Sequence, residues 1–311
     1  MEVVAAAFTQ STSDFPILLE NALNKTLQTA YALQADTWRR FCQIGSLTDF
    51  RPHSRYRVGS LSNLDALTEL GEFRNKTIPD GEKASITGAT KGNLITLSRQ
   101  AVINDDLGSF MSLGQAFGRA AKRTIENDVY AQFALNSNKG PTMPDGLALF
   151  HATHANLVDT GSGAAPSVAT IDAGRVAMAL QKDVSGNDFL DIKPSTWIGP
   201  VSLGGLARAV NQSEFDPDDK GSGSKAVMRR NIVFGIFADI VDTPRLSSTR
   251  WYMLAPADVL PTFEVAFLDG QQEPYLEIQN GWEVDGASMK VRLDYGIAAL
   301  DYKGAFMNWG A

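Results

Sequence analysis

The longest regular pattern of apolar positions lies between Asn104 and Asn136 and predicts one long helix. Apolar residues or glycine recur there every three or four positions, which is the spacing of one helical face. They are Leu107, Phe110, Gly114, Phe117, Ala121, Ile125, Val129 and Phe133. The opposite side carries Arg119, Lys122, Arg123, Glu126 and Asn127. We therefore expect one buried face and one face that is solvated or salt-bridged.

The stretch before this helix, Phe50 to Val102, predicts a long β-hairpin. Arg55 to Val58 alternates like a strand, and Ala84 to Thr87 with Asn93 to Leu97 predicts the returning strand. Basic and acidic residues are interspersed along it in nearly equal numbers. This balance favours a surface that meets a complementary protein surface, and a solvated hairpin without a partner is the alternative.

Inter-subunit contacts are predicted at charged and aromatic residues of this hairpin and at two arginines of the long helix. They are Arg55, Arg57, Glu69, Glu72, Phe73, Arg74, Lys76, Lys83, Arg119 and Arg123.

The rest of the chain mixes helical and strand-like patterns without an internal repeat or a regular βαβ alternation. Helices are predicted from Asp14 through Tyr31, from Asp36 through Cys42, from Thr170 to Gly186 and from Pro200 to Asn211. Strands are predicted at Ser195–Ile198, Ile232–Val241, Trp251–Leu254, Val265–Leu268, Tyr275–Ile278, Met289–Leu293 and Gly296–Asp301. The fold class is therefore α+β.

Composition excludes several classes of protein. The 311 residues are 44% hydrophobic and carry a net charge of −7, which does not suit a chain that grips nucleic acid. Cys42 is the single cysteine, so no intrachain disulfide can form, and we expect this residue to be buried. No apolar run reaches the roughly 18 residues of a membrane span, and the first residues do not have the pattern of a signal peptide.

The best candidate for chemistry is the pair His151 and His154. Two histidines three positions apart on a helix can bind zinc, but these follow Pro144-Asp145-Gly146 and precede a glycine-rich loop. A structural role is therefore the favoured interpretation, and a metal or catalytic site is the alternative. The run Gly221 to Lys225 lacks the spacing of a phosphate-binding loop and predicts a flexible segment. We predict no metal and no cofactor.

Several local motifs occur in a fixed order along the chain. They are Thr37–Cys42, Leu70–Phe73, Pro144–Gly146 leading into Leu149–Leu157, Val241–Leu246, Val291–Gly296 and Asp301–Gly304. Taken in this order, they resemble the major capsid proteins of tailed phages, which have the Hong Kong ninety-seven type fold, and the similarity extends to the Mu-like major head subunits.

The resemblance implies a specific division of the chain. Residues 1–49 would form an N-terminal arm and helix, and residues 50–103 an extended loop. Residues 104–166 would form the spine helix and the peripheral domain, and residues 167–285 the axial domain. Residues 286–311 would return as a strand to the peripheral domain.

The resemblance also implies a function. The chain would be a non-enzymatic subunit of an icosahedral phage head, forming pentamers and hexamers around double-stranded DNA that it does not bind sequence-specifically. Its partners would be further copies of itself, a scaffold or protease, a portal and decoration proteins, and it would contact no membrane. The subunit would assemble in the bacterial host cytoplasm and reside in the virion. Lys76 and Lys83 are the candidates for a lysine–asparagine crosslink.

Two alternatives to the capsid interpretation are open. The first is another phage structural subunit, of a tail tube or an adhesin. The second is a metal-dependent enzyme that uses His151 and His154.

Overall fold

A computed structural model describes residues 14–57, 82–98, 107–159, 161–183, 186, 188–217, 229–280 and 286–310. Its helices are α1 (Asp14–Leu33), α2 (Leu107–Asn138), α3 (Val168–Ala179) and α4 (Val201–Gln212), with short 3-10 helices at Trp38–Arg40 and Ala152–His154. Its strands are β1 (Cys42–Leu47), β2 (His53–Arg57), β3 (Glu82–Ile86), β4 (Ala89–Ser98), β5 (Leu157–Val158), β6 (Thr196–Pro200), β7 (Asp239–Thr243), β8 (Trp251–Leu254), β9 (Phe263–Leu268), β10 (Tyr275–Asn280), β11 (Gly286–Ala299) and β12 (Ala305–Asn308). The predicted α+β class is confirmed.

A central sheet separates two hydrophobic cores. Its strand order is β5-β12-β8-β6-β7. Along β8, Tyr252 and Leu254 enter the core shared with α2, whereas Trp251 and Met253 enter the core shared with α3 and α4. Because successive side chains of a strand point to opposite faces, one short apolar strand supplies both cores.

A second sheet contains β1-β9-β11-β10, with β4 also paired to β11. The prediction that Asn93 to Leu97 belongs to the returning strand of the hairpin is wrong. Among the described strands, β3 alone runs back along β2, whereas β4 pairs in antiparallel fashion with β11, so that Ala89 lies opposite Tyr295. The chain separates at Thr87 and Gly88 because β11 offers β4 a hydrogen-bonding edge in the body of the subunit.

The face of α2 predicted to be solvated or salt-bridged is partly buried, and its buried charged groups are paired. Lys122 and Glu126 are 8% and 4% exposed. The Lys122 ammonium lies 3.1 Å from the Asp36 carboxylate. The Glu126 carboxylate accepts hydrogen bonds from the backbone N–H and the hydroxyl of Thr37. The connection after α1 therefore supplies the polar groups that allow these charges to face inward.

Helices α1 and α2 also pack closely against each other. Leu23 and Leu27 pack with Phe117. A Cβ atom at Gly118 would lie 2.5 Å from the backbone oxygen of Leu27, so only glycine fits at that position. The predicted helix beginning at Asp14 is confirmed.

Other predicted boundaries need correction. The predicted helix from Asp36 through Cys42 is a 3-10 helix of three residues, and strand β1 follows it directly. Cys42 is buried as expected. Ser167, rather than Thr170, caps α3, because its hydroxyl accepts from the Thr170 N–H while the Thr170 hydroxyl accepts in return. Helix α3 also ends at Ala179, before the predicted Gly186.

Two strand predictions also change. Of the predicted strand Ile232–Val241, only the end belongs to β7, because the residues before Asp239 form turns that bury Val233 and expose Ile232. The two predicted strands Met289–Leu293 and Gly296–Asp301 are one continuous strand, β11.

Helix α2 also departs from its predicted end. Its regular part stops before Leu135, whose ψ is 158°, and Asn136 and Ser137 have φ values of 48° and 58°. Positions 104–106 of the predicted helix lie outside the described residues. In the described part of the chain, no helix has the length and apolar character needed to cross a membrane.

Replacing Thr37 with Val tests the link between the α1 connection and α2. The change removes the hydroxyl that joins Glu126 to Tyr130, whose hydroxyl lies 2.6 Å from it, and leaves a buried carboxylate with fewer donors. We expect a loss of about 1–3 kcal/mol in the free energy of unfolding, measured by urea denaturation. Thr29→Val is the matched control, since the Thr29 hydroxyl bonds only the exposed Lys25 carbonyl. Equal effects of the two changes would contradict the assigned role.

Candidate functional site: subunit contact surfaces

The base of the β2–β3 hairpin is fixed to the body of the subunit by Arg55. Its guanidinium donates to the Glu264 carboxylate at 2.9 Å from Nε to Oε2 and 2.6 Å from Nη2 to Oε1, and to the Ser46 carbonyl at 3.0 Å. The Glu264 side chain is 3% exposed. The hydrogen bonds to Glu264 raise the pKa of Arg55 above its ordinary value. This bidentate pair anchors strand β2 to the neighbouring strands β9 and β1.

Gly45 makes room for this ion pair. A Cβ atom at position 45 would lie 1.9 Å from Oε1 of Glu264. The position of the buried carboxylate therefore depends on a glycine in β1 opposite Ala266 of β9. In the sequence, this ion pair is indicated only by Glu264, a single glutamate within the apolar stretch that forms β9. Its partner Arg55 lies too far away along the chain to be identified from residue spacing.

The structure tests the placement of only part of the predicted hairpin contacts. Lys83 is exposed and pairs in register with Tyr56, and its ammonium lies 6.0 Å from the centre of the Tyr56 ring. The side chain of Arg57 and the whole of the predicted contact residues in the outer hairpin lie outside the described residues; the latter are Glu69, Glu72, Phe73, Arg74 and Lys76. Inter-subunit contact at these positions stays a prediction, as does contact at Arg55 and Lys83.

Arg119 and Arg123 lie together at a cleft of about 350 Å³ between α2 and the connection after α1. Lys122 and Glu126 line its inner wall, and Arg245 from the turn between β7 and β8 lies at the same cleft. Sequence reasoning missed Arg245, although it lies within the motif Val241–Leu246. Arg245 is far from α2 along the chain, so the sequence does not show that the two lie close together.

His154 lies in a compact polar cluster. Its ring stacks on Tyr302 with centroids 3.8 Å apart, Nε2 lies 2.6 Å from Oδ2 of Asp145, and Nδ1 lies 3.2 Å from the Leu149 carbonyl oxygen. Nδ1 of His151 accepts from the Thr153 N–H. Both nitrogens of His154 thus have partners within the chain, which disfavours a zinc pair. No group of three metal-binding side chains occurs among the residues that the structure describes.

Large exposed apolar side chains gather at two places beside the central sheet. We call the first the α3 edge, formed by Val176, Leu180, Phe189 and Leu190. We call the second the α4 edge, formed by Val201, Leu206, Phe215, Ile232 and Phe234. Sequence reasoning missed both edges, because it assigned their apolar residues to helix cores, strands and loops.

The exposed positions of α4 are uncharged, and its one arginine, the partly exposed Arg208, is paired with Asp242. Besides Val201 and Leu206, the exposed positions are Ser202, Gly205, Ala209 and Gln212. In a chain with 20% charged residues, such a face is typical of a surface that another protein covers.

Comparisons with known proteins agree with this architecture. A family model described as phage capsid protein matches residues 81–308. No curated protein sequence matches the chain.

Solved phage capsid structures share its fold. The procapsid protein of bacteriophage JBD30 aligns with a TM-score of 0.51 and 15% identity over 97% of this chain and 77% of that one. The capsid protein of cyanophage P-SCSP1u aligns with 0.56 and 13% over 89% of each chain. A chain of Microbacterium phage Oxtober96 aligns with 0.56 and 9% over 91% of this chain and 98% of that one.

Replacing Arg55 with Met tests the anchor of the hairpin. The change leaves the Glu264 carboxylate buried without its cation, and we expect a loss of about 1–3 kcal/mol in the free energy of unfolding. The double variant Arg55→Met/Glu264→Gln should recover much of that loss, because the buried charge is removed as well. A double-mutant cycle by urea denaturation measures the coupling, and additive effects would contradict the anchor.

Asp145→Asn tests the histidine cluster through its pH dependence. Burial opposes ionisation of Asp145, but hydrogen bonds from His154 and the Leu147 N–H prevail, and its pKa is lowered. A lowered folded-state pKa stabilises the protein above the unfolded value of about 4 and loses that contribution as pH falls through the folded value. The stability gap between wild type and variant should therefore be largest above about pH 5 and shrink towards pH 3. Asp258→Asn, at an exposed position, is the control, and a gap independent of pH would refute the stabilising hydrogen bonds to the Asp145 carboxylate.

Proposed function

This chain belongs to the phage capsid protein family, whose match spans residues 81–308, and we propose that it builds the icosahedral head of a tailed phage as pentamers and hexamers. It is a shell-forming structural subunit, and its place is the virion. The proposal adds the form of the assembly and the surfaces that hold it together. The Mu-like subtype stays a prediction from the sequence motifs.

The observation that carries the proposal is the position of the two apolar edges. Helix α3 packs on β12, since Gly174 lies against the ring of Phe306 in β12 and the side chain of Met253 in β8. Helix α4 packs on β7, where Arg208 forms an ion pair with Asp242. The strands β12 and β7 lie towards opposite ends of the sheet β5-β12-β8-β6-β7. The α3 edge and the α4 edge therefore flank the sheet on two sides.

Two different adhesive surfaces on one subunit favour head-to-tail association. When the α4 edge of one copy packs on the α3 edge of the next, each copy keeps a free edge of each kind until the ring closes. Burial of apolar side chains supplies the attraction, at about 25 cal/mol per Å². This attraction has little directional preference, so the same pair of edges can serve rings of five and of six subunits.

The extended loop and the interior complete the proposed head. The hairpin that leaves the body at Arg55 would reach neighbouring copies through its outer residues. A subunit with a net charge of −7 would let double-stranded DNA lie against the shell without adhering to it. A scaffold or protease, a portal and decoration proteins would join the copies, and assembly would take place in the host cytoplasm.

Introducing opposite charges at the α3 edge and the α4 edge tests both the proposed function and the proposed contact between these edges. Leu206→Lys and Leu180→Glu should each give a folded subunit that forms few rings or shells, because a charge is buried against an apolar edge. The double variant Leu206→Lys/Leu180→Glu should regain assembly, because opposite charges then meet between copies. Negative-stain electron microscopy and sedimentation measure the products, and circular dichroism confirms the fold.

The control is the like-charge double variant Leu206→Glu/Leu180→Glu, which should stay unassembled. Wild-type chains that give tubes or trimers would favour a tail-tube or adhesin subunit and refute the head. If wild-type chains form shells and the single changes have no effect, the proposed head function stands but the proposed association through the α3 and α4 edges is refuted.

A further inference from the structure

The cleft beside α2 has an excess of positive charge that the described part of the subunit does not neutralise. Arg119 and Arg123 lie one helical turn apart and are exposed. Within the described residues, neither guanidinium makes a hydrogen bond or an ion pair. Arg245 reaches the same cleft from another element, and its Nε donates to Oδ1 of Asn127 at 2.7 Å.

The acidic groups nearest the cleft are already engaged. Glu126 is buried and accepts from the N–H and hydroxyl of Thr37, with Nη1 of Arg245 3.8 Å from its Oε1. Asp36 lies between the Lys122 ammonium, 3.1 Å away, and Nε of Arg39, 2.8 Å away. Neither carboxylate is free to turn outward to Arg119 or Arg123 without leaving a buried partner unpaired.

We propose that this cleft binds a carboxylate side chain of a second copy of the chain, held by Arg119 and Arg123. The proposal rests on the proposed function, since it requires copies to lie side by side in a shell. Guanidinium groups match the planar, two-oxygen geometry of a carboxylate and bind it through paired hydrogen bonds. Arg245, already positioned by Asn127, adds a third guanidinium to the lining of the cleft.

Charge balance favours a second copy as the source of the anion. The whole chain carries a net charge of −7, although this cleft is basic. In a shell each copy would be surrounded by copies of the same chain, in which 35 Asp and Glu outnumber 28 Lys and Arg, so carboxylates are the more numerous charged groups available to the cleft.

Duplex DNA fits this cleft less well. Its binding rests on several cations spread along a row of phosphates, whereas the arginines here surround a concavity of about 350 Å³ that admits a protruding side chain. The carboxylate is therefore the occupant that the shape of the cleft favours.

Zero-length crosslinking tests the proposal in assembled particles. The variants Arg119→Lys and Arg123→Lys keep the charge and place a primary amine at the cleft. Carbodiimide then joins that amine to a carboxylate in direct contact. Particles assembled from an equal mixture of ¹⁴N- and ¹⁵N-labelled chains distinguish a bond between copies from a bond within one chain. We expect isotopically mixed crosslinked peptides that contain position 119 or 123.

Arg51→Lys is the matched control. Arg51 lies 4.0 Å from Asp49 of its own chain, so its crosslinks should not mix the isotopes. Intact particles whose crosslinks at 119 and 123 stay within one chain, or are absent while the Arg51→Lys control reacts, would overturn the proposal.

Charge reversal supplies an independent readout. Arg119→Glu/Arg123→Glu should leave the thermal unfolding of the free subunit unchanged and give roughly tenfold fewer closed particles, because a weak loss at each copy multiplies over the shell. Full particle yield with a loss of packaged DNA alone would assign the cleft to phosphate and overturn the carboxylate. Failure of wild-type chains to form any shell would instead refute the proposed function.

Discussion

Strand β8 must be covered on both faces, and much of the subunit follows from that constraint. Trp251, Tyr252, Met253 and Leu254 are all at most 1% exposed. An apolar strand with no solvent face needs a packed layer on each side. Helix α2 and the second sheet cover one face, and α3 and α4 cover the other. Their outer surfaces are then free to differ, one rich in charge and the other apolar.

Periodicity predicted much of this architecture because helices and buried strands carry their signals locally. It could not predict which residues meet across long separations in the chain. Lys122 and Glu126 look like solvent-facing residues until Asp36 and Thr37 fold against them. Strand β4 looks like part of the hairpin until β11, nearly two hundred residues later, takes it as a partner. The candidate surfaces show the same limit, since exposure of an apolar residue is a property of the assembled fold.

The two proposed kinds of contact surface would suit different tasks. Apolar edges would adhere over a range of relative orientations, because hydrophobic burial depends on area more than on angle. A guanidinium–carboxylate pair tolerates much less misalignment and would fix where one copy lies on the next. A shell that uses one subunit at non-equivalent positions needs both properties, tolerance around its rings and fixed register between neighbours.

The pairing of β4 with β11 also decides how the subunit carries tension. The hairpin strand β3 continues through Thr87 and Gly88 directly into β4, and β4 is paired with β11 along its length. Its inter-strand hydrogen bonds run perpendicular to the strands. A neighbour pulling outward on the hairpin would load these hydrogen bonds in shear, all at the same time, instead of unzipping them one after another. If the hairpin contacts a neighbouring copy as proposed, this strand pairing would carry load from that copy into the sheet of the subunit.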